Sequence, residues 1–129
     1  MNGEKDMKPE FLVNDEFDVC GLPFRLILTH DFQFVLENRT YITDVWGDTM
    51  PLDFYRVVGP EIGSKVYRVV FKKALNIIFG RRLKTFWFSI GMEPKRYPLY
   101  SLLADRIEKK YGYYCCRVGG SFHFYKLQQ

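Results

Sequence analysis

The sequence predicts an α+β domain, with a mixed, mainly antiparallel sheet of about seven to eight strands and two helices. Three observations carry this. The first half is a series of short runs of alternating apolar residues broken by turn residues. The second half holds two longer segments with apolar residues at helical spacing. Aromatic residues make up 18% of the chain, a share that favours strands and supplies large buried anchors. At 129 residues the chain fits one domain and can bury a core without disulfide staples.

Residues 1–10 are polar and charged and read as a flexible tail ahead of a single domain over 11–129. Phe17 and Val19, then Phe24, Leu26 and Leu28, alternate on either side of Gly21-Leu22-Pro23, which predicts a hairpin. Phe32 to Leu36 predicts a third strand and Tyr41 to Trp46 a fourth, with a turn at Glu37-Asn38-Arg39 between them. Gly47-Asp48-Thr49 breaks the run, and Asp53 to Val58 predicts a fifth strand ended by Gly59-Pro60. A helix is expected from Ser64, its cap, to Phe79, with Gly80 as its stop. Val66, Val70, Ala74 and Ile77 mark its apolar face, and Lys65, Arg68, Lys72 and Asn76 its polar one.

Thr85 to Ile90, with Phe86, Trp87 and Phe88, predicts a buried central strand. Pro98 opens a second helix whose face carries Leu99, Leu102, Leu103, Arg106, Ile107 and Lys110, with Asp105 paired to Lys109 four residues on. Tyr111-Gly112 ends it. Tyr113 to Val118 and Ser121 to Leu127, joined by Gly119-Gly120, predict a closing hairpin. The expected order is β-β-β-β-β-α-β-α-β-β.

Charge divides along the chain. Residues 1–62 hold five basic and twelve acidic side chains, a net of −7, whereas residues 63–129 hold fourteen and three, a net of +11. Either the two halves pack together and their fields largely cancel, which is the simpler reading, or they form opposite faces and the basic one attracts phosphate or an acidic partner. The candidate binding residues are Lys65, Arg68, Lys72, Arg81, Arg82, Lys84, Lys95 and Arg96, with Lys109 and Lys110 as further contributors. The stretch from Gly80 to Trp87 places such cations next to rings able to stack on a base, although Phe86, Trp87 and Phe88 are more simply buried.

Catalytic constellations are missing. His30-Asp31 reads as a polar turn, since adjacent residues rarely hold a base and its orienting group in geometry. His123 is expected opposite the aromatic residues of its strand. Cys20, Cys115 and Cys116 make a poor disulfide framework, and neighbouring Cys115 and Cys116 should face opposite ways on a strand. No metal-ligand spacing is present, so no metal and no cofactor is expected. The polar start lacks the apolar segment of a signal peptide, and no apolar stretch approaches a membrane span, so a cytoplasmic protein without membrane contact is expected.

Two resemblances add to this. The C-terminal order of elements resembles the latter part of the GNAT acetyltransferase fold. There an Arg/Gln-x-x-Gly-x-Gly/Ala loop cradles the pyrophosphate of acetyl-CoA at a helix N-terminus. Arg56-Val57-Val58-Gly59-Pro60-Glu61 matches its Arg and first Gly, but Glu61 replaces the last small residue and Pro60 lacks a donor. Leu99-Tyr100 is similar to that family's helix-borne pair whose Tyr acts as general acid. The second resemblance covers residues 54–127. Gly63-Ser64-Lys65-Val66-Tyr67-Arg68-Val69-Val70-Phe71, Phe88-Ser89-Ile90 and Arg96-Tyr97-Pro98-Leu99-Tyr100 are similar to small uncharacterised tailed-phage proteins. That resemblance implies a phage setting and a host cytoplasm, and no chemistry.

The function expected from these readings is a non-enzymatic phage accessory protein contacting nucleic acid or a host protein, in anti-defence or host take-over. One alternative is an acyl-CoA-dependent N-acyltransferase using acetyl-CoA at Arg56, Gly59, Gly63 and Ser64, with Tyr100 as its acid. The other is a virion or assembly protein. The sequence leaves the oligomeric state open.

Overall fold

A computed structural model describes residues 9–39, 41–43, 49–51, 54–91 and 96–127. Along the chain run β1 (Val13–Val19), β2 (Leu22–Leu28), β3 (Phe34–Asn38), β4 (Tyr41–Thr43), β5 (Thr49–Pro51), α1 (Phe54–Gly80), β6 (Thr85–Ser89), α2 (Tyr97–Tyr111), β7 (Tyr113–Val118) and β8 (Ser121–Lys126). The class is α+β, but the expected single mixed sheet is not formed. β1-β2-β3 make one antiparallel sheet, β6-β8-β7 a second, and β4-β5 a separate two-stranded ribbon.

Between the two larger sheets, β3 and β6 run side by side and in parallel, but pairing stops after one bridge, Gln33 to Trp87. Parallel ladders are the weaker kind. Here side-chain packing takes over from backbone pairing, with Phe34 meeting Phe86 edge-on at 5.7 Å. We call this junction the seam. Strand β6 therefore lies at the edge of its own sheet, and β8 holds the centre where the sequence suggests β6.

Both hairpin turns follow from local chemistry. Cys20 (φ 52°) and Gly21 (φ 80°) are both left-handed, as the tight turn between β1 and β2 requires, so the turn is one residue earlier than Gly21-Leu22-Pro23. The closing hairpin turns at Gly119-Gly120, as expected.

Helix α1 is the largest correction. It begins at Phe54, so the predicted fifth strand over 53–58 is helical wherever it is described, and Ser64 is not a cap but an interior residue. Gly59, Pro60 and Gly63 read as punctuation, yet a helix of 27 residues runs through them. Propensity is a weak prior that the rest of a long helix overrides. Its polar face is as expected, with Lys65, Arg68, Lys72 and Asn76 exposed, while Val66, Tyr67 and Ile78 are buried. Lys73 reaches across to Asp15 of β1 (3.0 Å).

Helix α2 has Pro98 in its first turn and a left-handed Gly112 (φ 73°) as its stop. Its buried face is Tyr100, Ala104 and Ile107, a rotation away from the predicted one: Leu102 and Arg106 face solvent. Asp105 does not pair with Lys109. It takes Arg117 of β7 instead (2.5 Å), and the same guanidinium donates to Ser101 (2.6 Å). That hydrogen bond to Asp105 raises the pKa of Arg117, fixing its charge against α2.

The core forms where the inner faces of both sheets meet the helices. Phe24, Leu26 and Leu28 come from the first sheet, and Phe86, Phe122, Phe124 and Tyr113 from the second. Phe86 stacks on Phe124 at 4.7 Å and receives Tyr113 edge-on at 5.2 Å. An apolar cleft remains between helices and sheets, bordered by Leu36, Val70, Phe71, Leu75 and Leu103. Among the described residues, no helix is long and apolar enough to cross a membrane.

Candidate nucleic-acid interface

Strand alternation sends every second residue of the second sheet away from the core. On β6 these are Thr85, Trp87 and Ser89, on β8 Ser121, His123 and Tyr125, and on β7 Tyr114, Cys116 and Val118. Their partners align them in rows across the sheet: Thr85-Tyr125-Tyr114, Trp87-His123-Cys116 and Ser89-Ser121-Val118. Both helices lie against the other face, and no described element covers this one. Tyr114, Tyr125 and Val118 are 53%, 47% and 63% exposed. Trp87 lies flat against His123, with centroids 5.1 Å apart and 12° between the planes. Monomeric proteins rarely leave a contiguous ring-bearing surface open without a use for it.

The connectivity then gathers charge at one end of this face. Gly80 ends α1, and Arg81 to Lys84 lead straight into Thr85. β8 runs antiparallel to β6, so Lys126 comes back to that same end, where its amide donates to the Lys84 carbonyl (2.7 Å). β7 starts there too, and Gly112 joins it to the last turn of α2, which carries Lys109 and Lys110. The ends of both helices touch through Phe79 and Tyr111, 5.1 Å apart.

The chain thus brings six cations to this end of the sheet, Arg81, Arg82, Lys84, Lys109, Lys110 and Lys126, with the Lys126 ammonium over the buried Tyr113 ring on the helix side. Among the described residues none of them is ion-paired. Arg81 donates to the Leu12 carbonyl (2.9 Å) and Lys126 to the Tyr111 carbonyl (2.8 Å), bonds that fix side chains without cancelling charge. Tyr113 pins the arrangement from below. Its ring is buried, and its hydroxyl donates to the Leu83 carbonyl (2.6 Å) inside the cationic connection. Burial raises the pKa of this phenol.

The predicted site residues are therefore divided. Arg81, Arg82 and Lys84 join the basic end, whereas Lys65, Arg68 and Lys72 form an exposed stripe on α1. Arg96 precedes the first turn of α2 and so lies about 20 Å along that helix from Lys109 and Lys110. Lys95 lies outside the described residues. Trp87, expected in the core, faces out, because Phe86 and Phe88 on either side take the inner face. Lys126, Tyr114 and Tyr125 have no local signal, since only the pairing of strand ends brings them to the cations.

Arg56, Gly59, Gly63 and Ser64, the residues of the acyl-CoA alternative, all lie along α1 and not in a loop before it, with Arg56 in its first turn. Tyr100 is 9% exposed, its ring edge-on to Tyr67 and Phe88 in the core. His30 donates from Nε2 to the Pro9 carbonyl (2.6 Å), while Asp31 accepts from the Thr29 hydroxyl, so the two form a polar turn and not a catalytic pair. Cys20 and Cys116 are at least partly accessible, Cys115 is buried, and all three are free thiols. Among the described residues no three potential ligands gather for a metal.

Comparison with protein families, with curated proteins and with solved structures finds no match.

Proposed function

We propose that the protein binds single-stranded nucleic acid across the open face of β6-β8-β7. The observation that carries this is the adjacency of an uncovered row of rings to an end where six cations meet, none of them ion-paired among the described residues. Every base has a π-face, so rings such as Trp87, His123, Tyr125 and Tyr114 stack on bases with little regard for sequence. The cations hold the phosphates. A duplex hides its base faces inside the stack, which is why a single strand suits this surface. The phage setting implied by the resemblance of residues 54–127 belongs to the same proposal, with an infected cell's nucleic acid as the target.

The test is fluorescence anisotropy with short labelled single strands at about 50 mM salt, repeated toward 200 mM. Affinity should fall with salt at a log-log slope of roughly −0.7 per phosphate contacted, hence about −4 at most for six cations. Trp87→Ala should weaken binding by about 1–3 kcal/mol, the loss expected for one stacked base. Binding that is absent at low salt, or that ignores both salt and Trp87, refutes the proposal. Capture of a protein from host lysate by the same face would put the host-protein reading in its place.

A further inference from the structure

The outer strands of the two larger sheets are finished differently. β1 is the free edge of the first sheet, and Asn14, Glu16 and Asp18 stand exposed along it. Charges of that kind keep other strands from pairing with an edge. β7 is the outer edge of the second sheet, and its open-face residues are Tyr114, Cys116 and Val118, with no charge among them. The backbone of this edge is available too. The turn pairs Val118 with Ser121, and the Leu127 amide donates to the Gly112 carbonyl (3.0 Å), so the even-numbered residues of β7 direct their backbone groups at β8. Cys115 and Arg117 direct theirs outward. Among the described hydrogen bonds, one reaches these outward groups: the Cys115 amide donates to a Glu108 carboxylate oxygen at 3.3 Å, long for such a bond. The same carboxyl group reaches the Arg117 guanidinium at 3.5 Å, a partner it keeps when another strand claims the amide.

A second copy of β7 fits this edge. A two-fold axis makes the two strands antiparallel. Outward groups then face outward groups when Cys115 of each copy pairs with Arg117 of the other and Cys116 stands on the axis. That register sets Tyr114, 53% exposed, against Val118, 63% exposed, of the other copy. An aromatic residue opposite a β-branched one is a stabilising cross-strand pair. Moving the axis to Cys115 would set Val118 against Gly112, and moving it to Arg117 would set Tyr114 against Gly120, so neither covers both exposed side chains. Charge agrees with the same arrangement. The basic end lies at the start of β7, so the two-fold sends the two basic ends to opposite corners. They are separated by the length of a six-residue strand, roughly 20 Å, well beyond the screening length of about 8 Å.

We propose that the free edge of β7 is a self-association site, through which two copies of this chain pair antiparallel about Cys116. The pairing joins two three-stranded sheets into one of six strands and makes their open faces continuous. It does not rest on the single-strand reading. It also sets the two Cys116 residues opposite each other in a non-hydrogen-bonded pair, with Cα atoms about 4.5 Å apart. That spacing lies within the range of about 4.4–6.8 Å that a disulfide spans.

The experiment uses the full chain. Sedimentation equilibrium should give twice the 15.4 kDa mass of one chain. Cys116→Lys places like charges directly opposite each other on the axis and should return the mass to that of one chain, with circular dichroism confirming the fold. Cys116→Ser should remain a dimer. Covalent trapping then reads the register. In a Cys20→Ser background, diamide should link the two copies through Cys116: two thiols lose two protons and two electrons, and the diamide N=N bond takes them up as the S–S bond forms. Mass spectrometry of the linked peptides should show Cys116 joined to Cys116, and Cys116→Ser should abolish the product. A strict monomer at the highest soluble concentration overturns the proposal. A dimer that persists in Cys116→Lys places the interface elsewhere and overturns it as well. A dimer whose Cys116 thiols do not cross-link overturns the register.

Discussion

Replacing Tyr113 by Phe separates two contributions of one buried hydroxyl. The ring is unchanged, so it keeps its edge-on contact with Phe86 and the Lys126 ammonium 4.8 Å from its centre. No cavity is created. What is lost is the 2.6 Å bond to the Leu83 carbonyl, whose residue is itself buried. Leaving a buried acceptor unsatisfied costs about 1–3 kcal/mol, the deficit expected in urea unfolding near neutral pH.

Alkaline pH then changes the comparison. Burial raises the folded-state pKa of Tyr113 above its ordinary 10.0, so its contribution is fully present below pH 10. Above that the unfolded phenol ionises first, and the contribution is lost as pH rises through the folded value. The phenylalanine variant has no phenolic proton to lose at this position, and the other tyrosines are common to both proteins. The stability gap between wild type and Tyr113→Phe should therefore narrow steadily above pH 10. A gap below about 0.5 kcal/mol at neutral pH, or one that stays constant to the alkaline limit of folding, refutes the reasoning. Because Leu83 sits inside the cationic connection, the variant should also weaken single-strand binding even where it is fully folded.

Other outcomes follow from single contacts. Phe124→Ala removes a ring that is 0% exposed and stacked on Phe86 at 4.7 Å, and should cost about 3–5 kcal/mol in urea unfolding. Gly112→Ala places a side chain at φ 73°, and although its Cβ meets only Lys126 Nζ at 3.5 Å, the backbone strain alone should cost about 1–2 kcal/mol in the same assay. Native thiol titration should show Cys20 reacting first and Cys115 last. Burial raises the Cys115 pKa, so its share of stability should begin to fall above pH 9.0, where the unfolded thiol ionises, and Cys115→Ala should lack that fall.

Local chemistry is legible in the sequence where the structure is local. The closing hairpin, the first hairpin and both ends of α2 depend on turn glycines and Pro98, and they stand within a residue or two of expectation. His123, Cys115 and Cys116 fall on the faces that strand alternation assigns. Alternation also carries a further signal: Trp87 lies between two inward phenylalanines and has to face out. The start of α1 reads as a strand because Tyr55, Val57 and Val58 suit a strand, and Gly59-Pro60 suits a break, as well as they suit a helix. Two features have no local signature at all. One is the splitting of the sheet at β3 and β6, and the other is the meeting of Lys126 with Lys84 and Tyr111. Both depend on which strand ends become neighbours, and no short window of sequence contains that.

The seam has a mechanical consequence. Among the described hydrogen bonds, those between the two larger sheets come from one residue, Trp87, through its amide and its indole. Parting the two sheets there breaks these two hydrogen bonds and opens the core they share, while every ladder stays whole. The Trp87 amide should exchange its hydrogen ahead of its ladder neighbours Phe86 and Phe88. A strand stacked on the indole would slow that exchange from outside, stiffening the whole molecule by holding a single ring.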